Sequence, residues 1–214
     1  MADNHVFKSM KALTFWTLLF IVMRLLALAA YGANDAIQAG NGVRVDFDNI
    51  DDPLTIFAGL SAAAYVAISI VSGILSLCWI YGATRNALSF EPHLDISPGW
   101  AVGWFFVPVY GLFKPFQYLS EVWKASLGPK GVDADAPRFM LAWWLLNVFG
   151  NVALTIASRL EKTSIAAGMT GDLAIEAAGL ALVFSATLVF FKIVRDIHRN
   201  QLNTHSGLNT AEVF

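Results

Sequence analysis

The chain has 214 residues, of which 57% are hydrophobic and 14% charged, with a formal net charge of -2, a pI near 6.0 and a mean hydropathy of +0.58. The apolar share exceeds the roughly 45–50% usual in soluble domains, and the charge balance, with no basic stripe, gives no support for nucleic-acid binding. The single cysteine, Cys78, excludes an intramolecular disulfide and reads as a small buried hydrophobe.

A helix needs about 20 mostly apolar residues to cross a bilayer, because unpaired backbone groups in hydrocarbon cost several kcal/mol each. The first such stretch runs from Leu13 to Tyr31. A secretory signal is the rival reading, with Ala27-Leu28-Ala29 as a small-residue cleavage site. Against it, Leu25 to Ala30 are as apolar as the residues before them and Arg24 interrupts the core, which favours an intact anchor. The following stretch, Gly32 to Pro53, carries Asp35, Asp46, Asp48, Asp51 and Asp52. It lacks the spacing and closing glutamate of an EF-hand, so it reads as a solvated acidic loop.

The second span is Ile56 to Tyr81. Its Ser69-x-x-x-Gly73 and Ser72-x-x-x-Ser76 pairs place small residues one turn apart, a helix-packing signal that does not name the neighbour. Next comes an apolar run, Trp100 to Phe113, too short to span and interrupted by Gly103, Pro108 and Gly111. It belongs to a broken segment, 97–127, expected to be re-entrant or interfacial. Tryptophans at 100, 104 and 123 suit the headgroup boundary, where a ring is half buried while its N–H stays wet. After the bend, Phe116, Leu119, Trp123 and Leu127 fall on one helix face, with Gln117, Glu121 and Lys124 on another, which predicts an amphipathic surface helix.

This segment also carries a resemblance. Pro98, Trp100, Gly103, Trp104 and Pro108, then Lys114, Pro115, Gln117, Glu121 and Trp123, preceded by Arg85-Asn86 and closed by Ile193-Val194-Arg195 with Gln201, form a distinctive pattern. It resembles the bacterial multi-pass membrane family filed as domain of unknown function 4328, over about Tyr81 to Gln201. The resemblance implies a bacterial membrane location and no assigned activity.

The third and fourth spans are Phe139 to Ser158 and Leu173 to Val194. Charge placement then sets topology, because cytoplasmic loops carry the excess of Lys and Arg. With four spans and both termini inside, Lys8, Lys11, Arg85, Lys114, Lys124, Lys130, Arg138, Lys192, Arg195 and Arg199 are cytoplasmic, leaving Arg44, Arg159 and Lys162 outside. A fifth span at Trp100–Phe113 reverses that bias. A faint internal echo, Arg-Asn-x-Leu at Arg85 and again at Arg199, follows the second and fourth spans; paired hairpins of this kind occur in transporters built from parallel repeats.

Arg24 is the least expected residue, since an arginine near mid-membrane costs at least about 2.5 kcal/mol unless paired or wetted. Thr14, Thr17 and Tyr31 share its face, and Asn147, Asn151, Thr155 and Ser158 form a second polar stripe at similar depth. Together they outline either an intramembrane polar site at Arg24, Asn147 and Asn151 or interhelical hydrogen bonding that fixes packing. The histidines His5, His93, His198 and His205 all lie outside the spans, leaving no pair of intramembrane haem ligands. No metal site, cofactor motif or catalytic motif is read, although His93, Asp95 and Glu121 stand at the membrane boundary.

The sequence therefore predicts one all-α membrane domain, 1–214, of four transmembrane helices in a bacterial inner membrane with both termini cytoplasmic. The expected role is a non-enzymatic binding or organising component whose partners are membrane lipids, a protein or another copy. The alternatives are a small transporter or channel using the polar site, and, third, a membrane enzyme acting on lipid headgroups.

Overall fold

The computed structural model describes residues 6–40, 52–131, 133–167 and 171–211. Asp46, Asp48 and Asp51 of the acidic loop, and His5, fall outside the described residues.

The fold is all-α. Its helices are α1 (Lys11–Gly40), α2 (Pro53–Phe90), the short α3 (Pro98–Gly103), α4 (Lys114–Ala125), α5 (Arg138–Ala167) and α6 (Gly171–Ala211). Four of them, α1, α2, α5 and α6, are long and apolar enough to cross a membrane. Two run far past the apolar windows that mark them: α2 has 38 residues and α6 has 41. At 1.5 Å per residue these are about 57 and 62 Å long, against about 30 Å of hydrocarbon. Hydropathy locates the embedded part of a helix, whereas Ala, Leu, Arg and Gln in the overhangs continue to favour helix in water.

Helix ends are set by local chemistry. The Asp52 carboxylate accepts from the Thr55 backbone N–H at 3.0 Å and from the Thr55 hydroxyl at 3.2 Å, capping α2 just before Pro53 at its first position. Pro92 follows Glu91 and stops α2 by denying its predecessor the helical region. Beyond α4, Gly128 has φ 61, the left-handed turn that lets the chain reverse.

Contacts group the chain into two compact units. The first comprises Met1–Leu18, Ile74–Trp144 and Val189–Phe214. Its core is built on Trp79, Met140, Ile193, Val194 and Ile197, all fully buried. The second comprises Leu19–Gly73 and Leu145–Leu188, with Ile21, Leu28, Ala157, Val183 and Ala186 buried. Within it, α5 and α6 approach closely at glycines: a Cβ on Gly150 would meet Val183 Cγ2 at 2.8 Å, and one on Gly179 would meet Leu154 Cδ2 at 2.9 Å. The small residue singled out on α2 behaves differently, since a Cβ on Gly73 would meet nothing within 4 Å.

Side chains on the spans face outward in numbers no aqueous surface would tolerate: Leu60 is 66% exposed, Ile70 58% and Phe149 59%. Cys78, expected to be buried, is also exposed. Lipid explains both, because its tails solvate apolar groups as well as a protein core does.

Candidate functional site

The segment joining α2 to α5 is not a span. It is built as α3, two 3-10 turns at Trp104–Phe106 and Tyr110–Leu112, the amphipathic α4 and a third 3-10 turn at Gly128–Gly131. Pro98 starts α3, and Pro108 lies between the first two turns where a straight helix would otherwise continue. Gly111 is required by closeness, since a Cβ there would sit 3.0 Å from the Trp104 carbonyl oxygen.

The aromatic residues organise this stretch. Trp100 and Trp104 stack with centroids 4.5 Å apart, and Trp104 meets Tyr110 at 5.1 Å and Tyr118 at 6.5 Å. The Trp144 indole N–H donates to the Leu112 carbonyl at 2.7 Å, and its ring takes the edge of Phe105. Trp144 lies six residues into α5, about 9 Å from its start. The segment is therefore pinned beside the first two turns of α5. Trp100, Phe106, Val109, Tyr110 and Phe113 are all more than half exposed. The Trp104 Nε1, by contrast, is buried without a partner among the described residues.

The inward face of α4 keeps Leu119 of the sequence pattern but turns from Phe116 and Trp123 toward Pro115 and Val122. Pro115, Leu119 and Val122 are buried, while Phe116 and Trp123 are half buried on its flank. Gln117 is exposed, and Lys124 pairs with Glu121 at 3.3 Å. Turning the stripe lets Ser126, just past the helix, enter the core.

Ser126 joins a buried polar knot. Gln201 Nε2 donates to the Ala83 carbonyl at 2.8 Å and to Ser126 Oγ at 3.1 Å. Asn86 Nδ2 donates to Gln201 Oε1 at 3.4 Å and to the Lys8 carbonyl at 2.9 Å, while Asn86 Oδ1 accepts from the Lys8 backbone N–H at 3.0 Å. Thr204 donates to the Ser126 carbonyl at 2.9 Å. An amide offers a peptide-like donor and acceptor pair, which is why Asn86 can bracket the Lys8 backbone. Nearby, Trp79 Nε1 donates to Thr14 Oγ1 at 3.1 Å, and Thr14 meets His198 Nδ1 at 3.2 Å. These groups tie the chain entry, α2, α4 and α6 together, and their saturation assigns them to structure. Arg85, beside Asn86, is exposed.

Next to the knot is a cleft of about 290 Å3, lined by Glu91, His93, Leu94, Glu121, Lys124, Ala125, Gly128 and Gly131. Gly131 has no room for a side chain, since a Cβ would lie 1.9 Å from the Lys124 carbonyl oxygen. The cleft thus gathers His93 and Glu121 but not Asp95. No cluster of His, Cys, Asp or Glu suited to a metal ion occurs among the described residues.

The intramembrane stripes are arranged differently from the sequence expectation. Tyr31 stacks on Tyr65 at 5.9 Å and donates to Glu176 at 3.1 Å, so the Arg24 face of α1 does turn inward. Arg24 Nε is buried without a partner among the described residues, as is Ser69 Oγ. The α5 stripe, however, faces out: Asn151, Thr155 and Ser158 are exposed, and no hydrogen bond joins Arg24 to Asn147 or Asn151 among the described residues. Packing of α5 onto α6 through Gly150 directs the neighbouring stripe sideways, a consequence invisible in the spacing of either stripe alone.

Sequence reasoning missed Trp79, Ser126, Trp144 and the Gly150/Gly179 contact, and it placed Thr14 on the Arg24 face without its partners Trp79 and His198. The Gly128-Pro129-Lys130-Gly131 cluster was the available signal for the cleft.

No curated protein and no solved structure matches the chain. A family model described as a domain of unknown function (DUF4328) matches residues 49–199, from just before α2 to a point in α6 two residues short of Gln201. That stretch holds the aromatic segment, the cleft and Asn86, leaves Arg24 outside, and exceeds half of the chain: this is a helical multi-pass membrane protein belonging to the DUF4328 family.

Proposed function

We propose that the protein is a non-enzymatic organising component of a bacterial inner membrane that holds lipid through its aromatic segment. The observation that carries this reading is the outward array of Trp100, Phe106, Val109, Tyr110 and Phe113 on a frame pinned by the Trp144–Leu112 bond. Aromatic rings with one apolar and one wet end partition to the headgroup boundary, and rigid ones contact acyl chains and carbonyls at little entropic cost. Four spans put both termini on one side, and the distribution of Lys and Arg supports the cytoplasm as that side.

Native mass spectrometry of the protein released from lipid nanodiscs tests this reading. Wild type is expected to retain discrete lipid adducts that are lost when Trp100, Phe106 and Phe113 are all changed to Ala. Equal lipid retention by both proteins contradicts it.

A second reading, a small transporter or channel, is favoured by Arg24 Nε and Ser69 Oγ. Both are buried in one unit, and both lie on faces that the Tyr31–Tyr65 stack turns toward each other. An anionic or carbonyl-bearing solute would supply the missing acceptor. Solute-dependent flux in reconstituted vesicles, abolished by Arg24→Leu, would establish it in place of the first reading.

A further inference from the structure

We propose that α5 carries a self-association seam, and that its partner is a second copy of this chain in the same membrane. The proposal does not depend on the aromatic segment.

The starting point is a polar ladder on the wrong face of a membrane helix. Asn147 and Asn151 lie nine and 13 residues into the span that begins at Arg138, about 14 and 20 Å along it, within the hydrocarbon layer. Asn151 Nδ2 donates to the Asn147 carbonyl at 2.8 Å and to Asn147 Oδ1 at 3.0 Å. Thr155 donates to the Asn151 carbonyl at 2.8 Å, and Ser158 to the Thr155 carbonyl at 3.0 Å. The two hydroxyls are satisfied within their own helix. The amides are not: Asn151 Oδ1 accepts nothing and Asn147 Nδ2 donates to nothing among the described residues. A lone hydroxyl on a lipid-facing helix can bond back to its own backbone, but a carboxamide has four hydrogen-bond positions and cannot fill them alone.

Polar side chains within spans face a bundle interior, a wet cavity or another helix. Among the described residues Asn151 faces none of these, being exposed beside a shallow groove lined by Val152, Thr155, Ile156 and Arg159. The spacing 147, 151, 155, 158 follows one face of a helix crossing a neighbour at a small angle. Asparagine is at once donor and acceptor, so the same residues from two copies related by a two-fold axis along the membrane normal complement each other: each Asn151 Oδ1 accepts from the free Asn147 Nδ2 of the second copy. A second copy has the same membrane orientation and the same ladder at the same depth, and so meets the amides in register. Arg159 lies near the outer end of the span, where its guanidinium reaches headgroups instead of its counterpart.

Cysteine scanning along α5 in a Cys78→Ser background, with oxidative cross-linking in lipid vesicles, tests the seam. Disulfide-linked dimers are expected at positions 147, 151, 155 and 158, and weakly or not at all at Leu145 and Phe149 of the neighbouring exposed stripe. Fluorescence energy transfer at graded protein-to-lipid ratios gives the affinity. Asn147→Leu with Asn151→Leu is expected to weaken association about 3- to 20-fold, the range for interhelical polar contacts. Thermal unfolding should be little moved, because among the described residues neither amide bonds to another helix of its own chain. A monomer at every ratio overturns the proposal. So does cross-linking that peaks instead at Gly73→Cys on α2, or association strengthened by the double leucine variant.

Discussion

Trp144 donates its indole N–H to the carbonyl of Leu112 at 2.7 Å, across 32 residues of sequence. That bond fastens the 3-10 turn at Tyr110–Leu112 to a membrane-spanning helix, beside the contact of Tyr110 with Trp104. Trp144→Phe keeps a ring and removes the donor. The freed Leu112 carbonyl is expected to cost about 1–3 kcal/mol locally, read as faster amide exchange from Val107 to Phe113 with exchange in α5 unchanged.

Asn86 and Gln201 form the centre of the buried knot, 2% and 1% exposed respectively. Asn86→Leu orphans both the backbone N–H and the carbonyl of Lys8, and Gln201→Leu removes the donor to Ser126 Oγ, the second bond to the Ala83 carbonyl and the acceptor for Asn86 Nδ2. Each is expected to destabilise by about 2–4 kcal/mol. A double-mutant cycle between them should give a coupling of about 0.5–3 kcal/mol, because they share a network. Additive effects on thermal unfolding would break the network into independent bonds.

The glycines separate into two classes that one set of alanine variants distinguishes. At Gly131 the new Cβ would collide with backbone, and at Gly150 with both Val183 Cγ2 and, at 3.0 Å, the Val183 nitrogen. Losses of about 1–3 kcal/mol are expected at both from overpacking. At Gly73 the added methyl meets nothing within 4 Å, and alanine should stabilise by a few tenths to about 1 kcal/mol through helix propensity. Unfolding midpoints in detergent check all three.

Arg24 bears a partly uncompensated guanidinium, and its two readings predict different variants. If the residue fixes packing, Arg24→Leu should lower the unfolding midpoint, whereas if its Nε awaits a solute, stability should stay within about 1 kcal/mol and solute binding should be lost. On the packing reading, solute flux should be absent from wild type and variant alike.

The four spans were legible in the sequence because hydrocarbon imposes a single requirement, a long apolar helix with its backbone satisfied, and composition alone registers it. The non-spanning character of Trp100–Phe113 was legible for the same reason, from its length and from Pro108. Asn86 and Gln201 carried weight as parts of a pattern, but their mutual contact depends on α2 and α6 projecting past the apolar windows, which hydropathy does not report. The direction of the Asn147–Asn151 stripe was not legible either. It depends on which face of α5 meets α6, and that is decided by Gly150 against Val183, a contact of tertiary packing.

Membrane placement of the aromatic segment is the claim from which the proposed function follows, and the depth of a spin label at Val109 tests it most directly. In a Cys78→Ser background, Val109→Cys labelled with a nitroxide should report a depth of about 5–10 Å below the phosphate plane, as for other interfacial segments. A label relaxed freely by a water-soluble reagent would place the segment in the aqueous phase, and one near the bilayer centre would make it a deep insertion; either result contradicts the account.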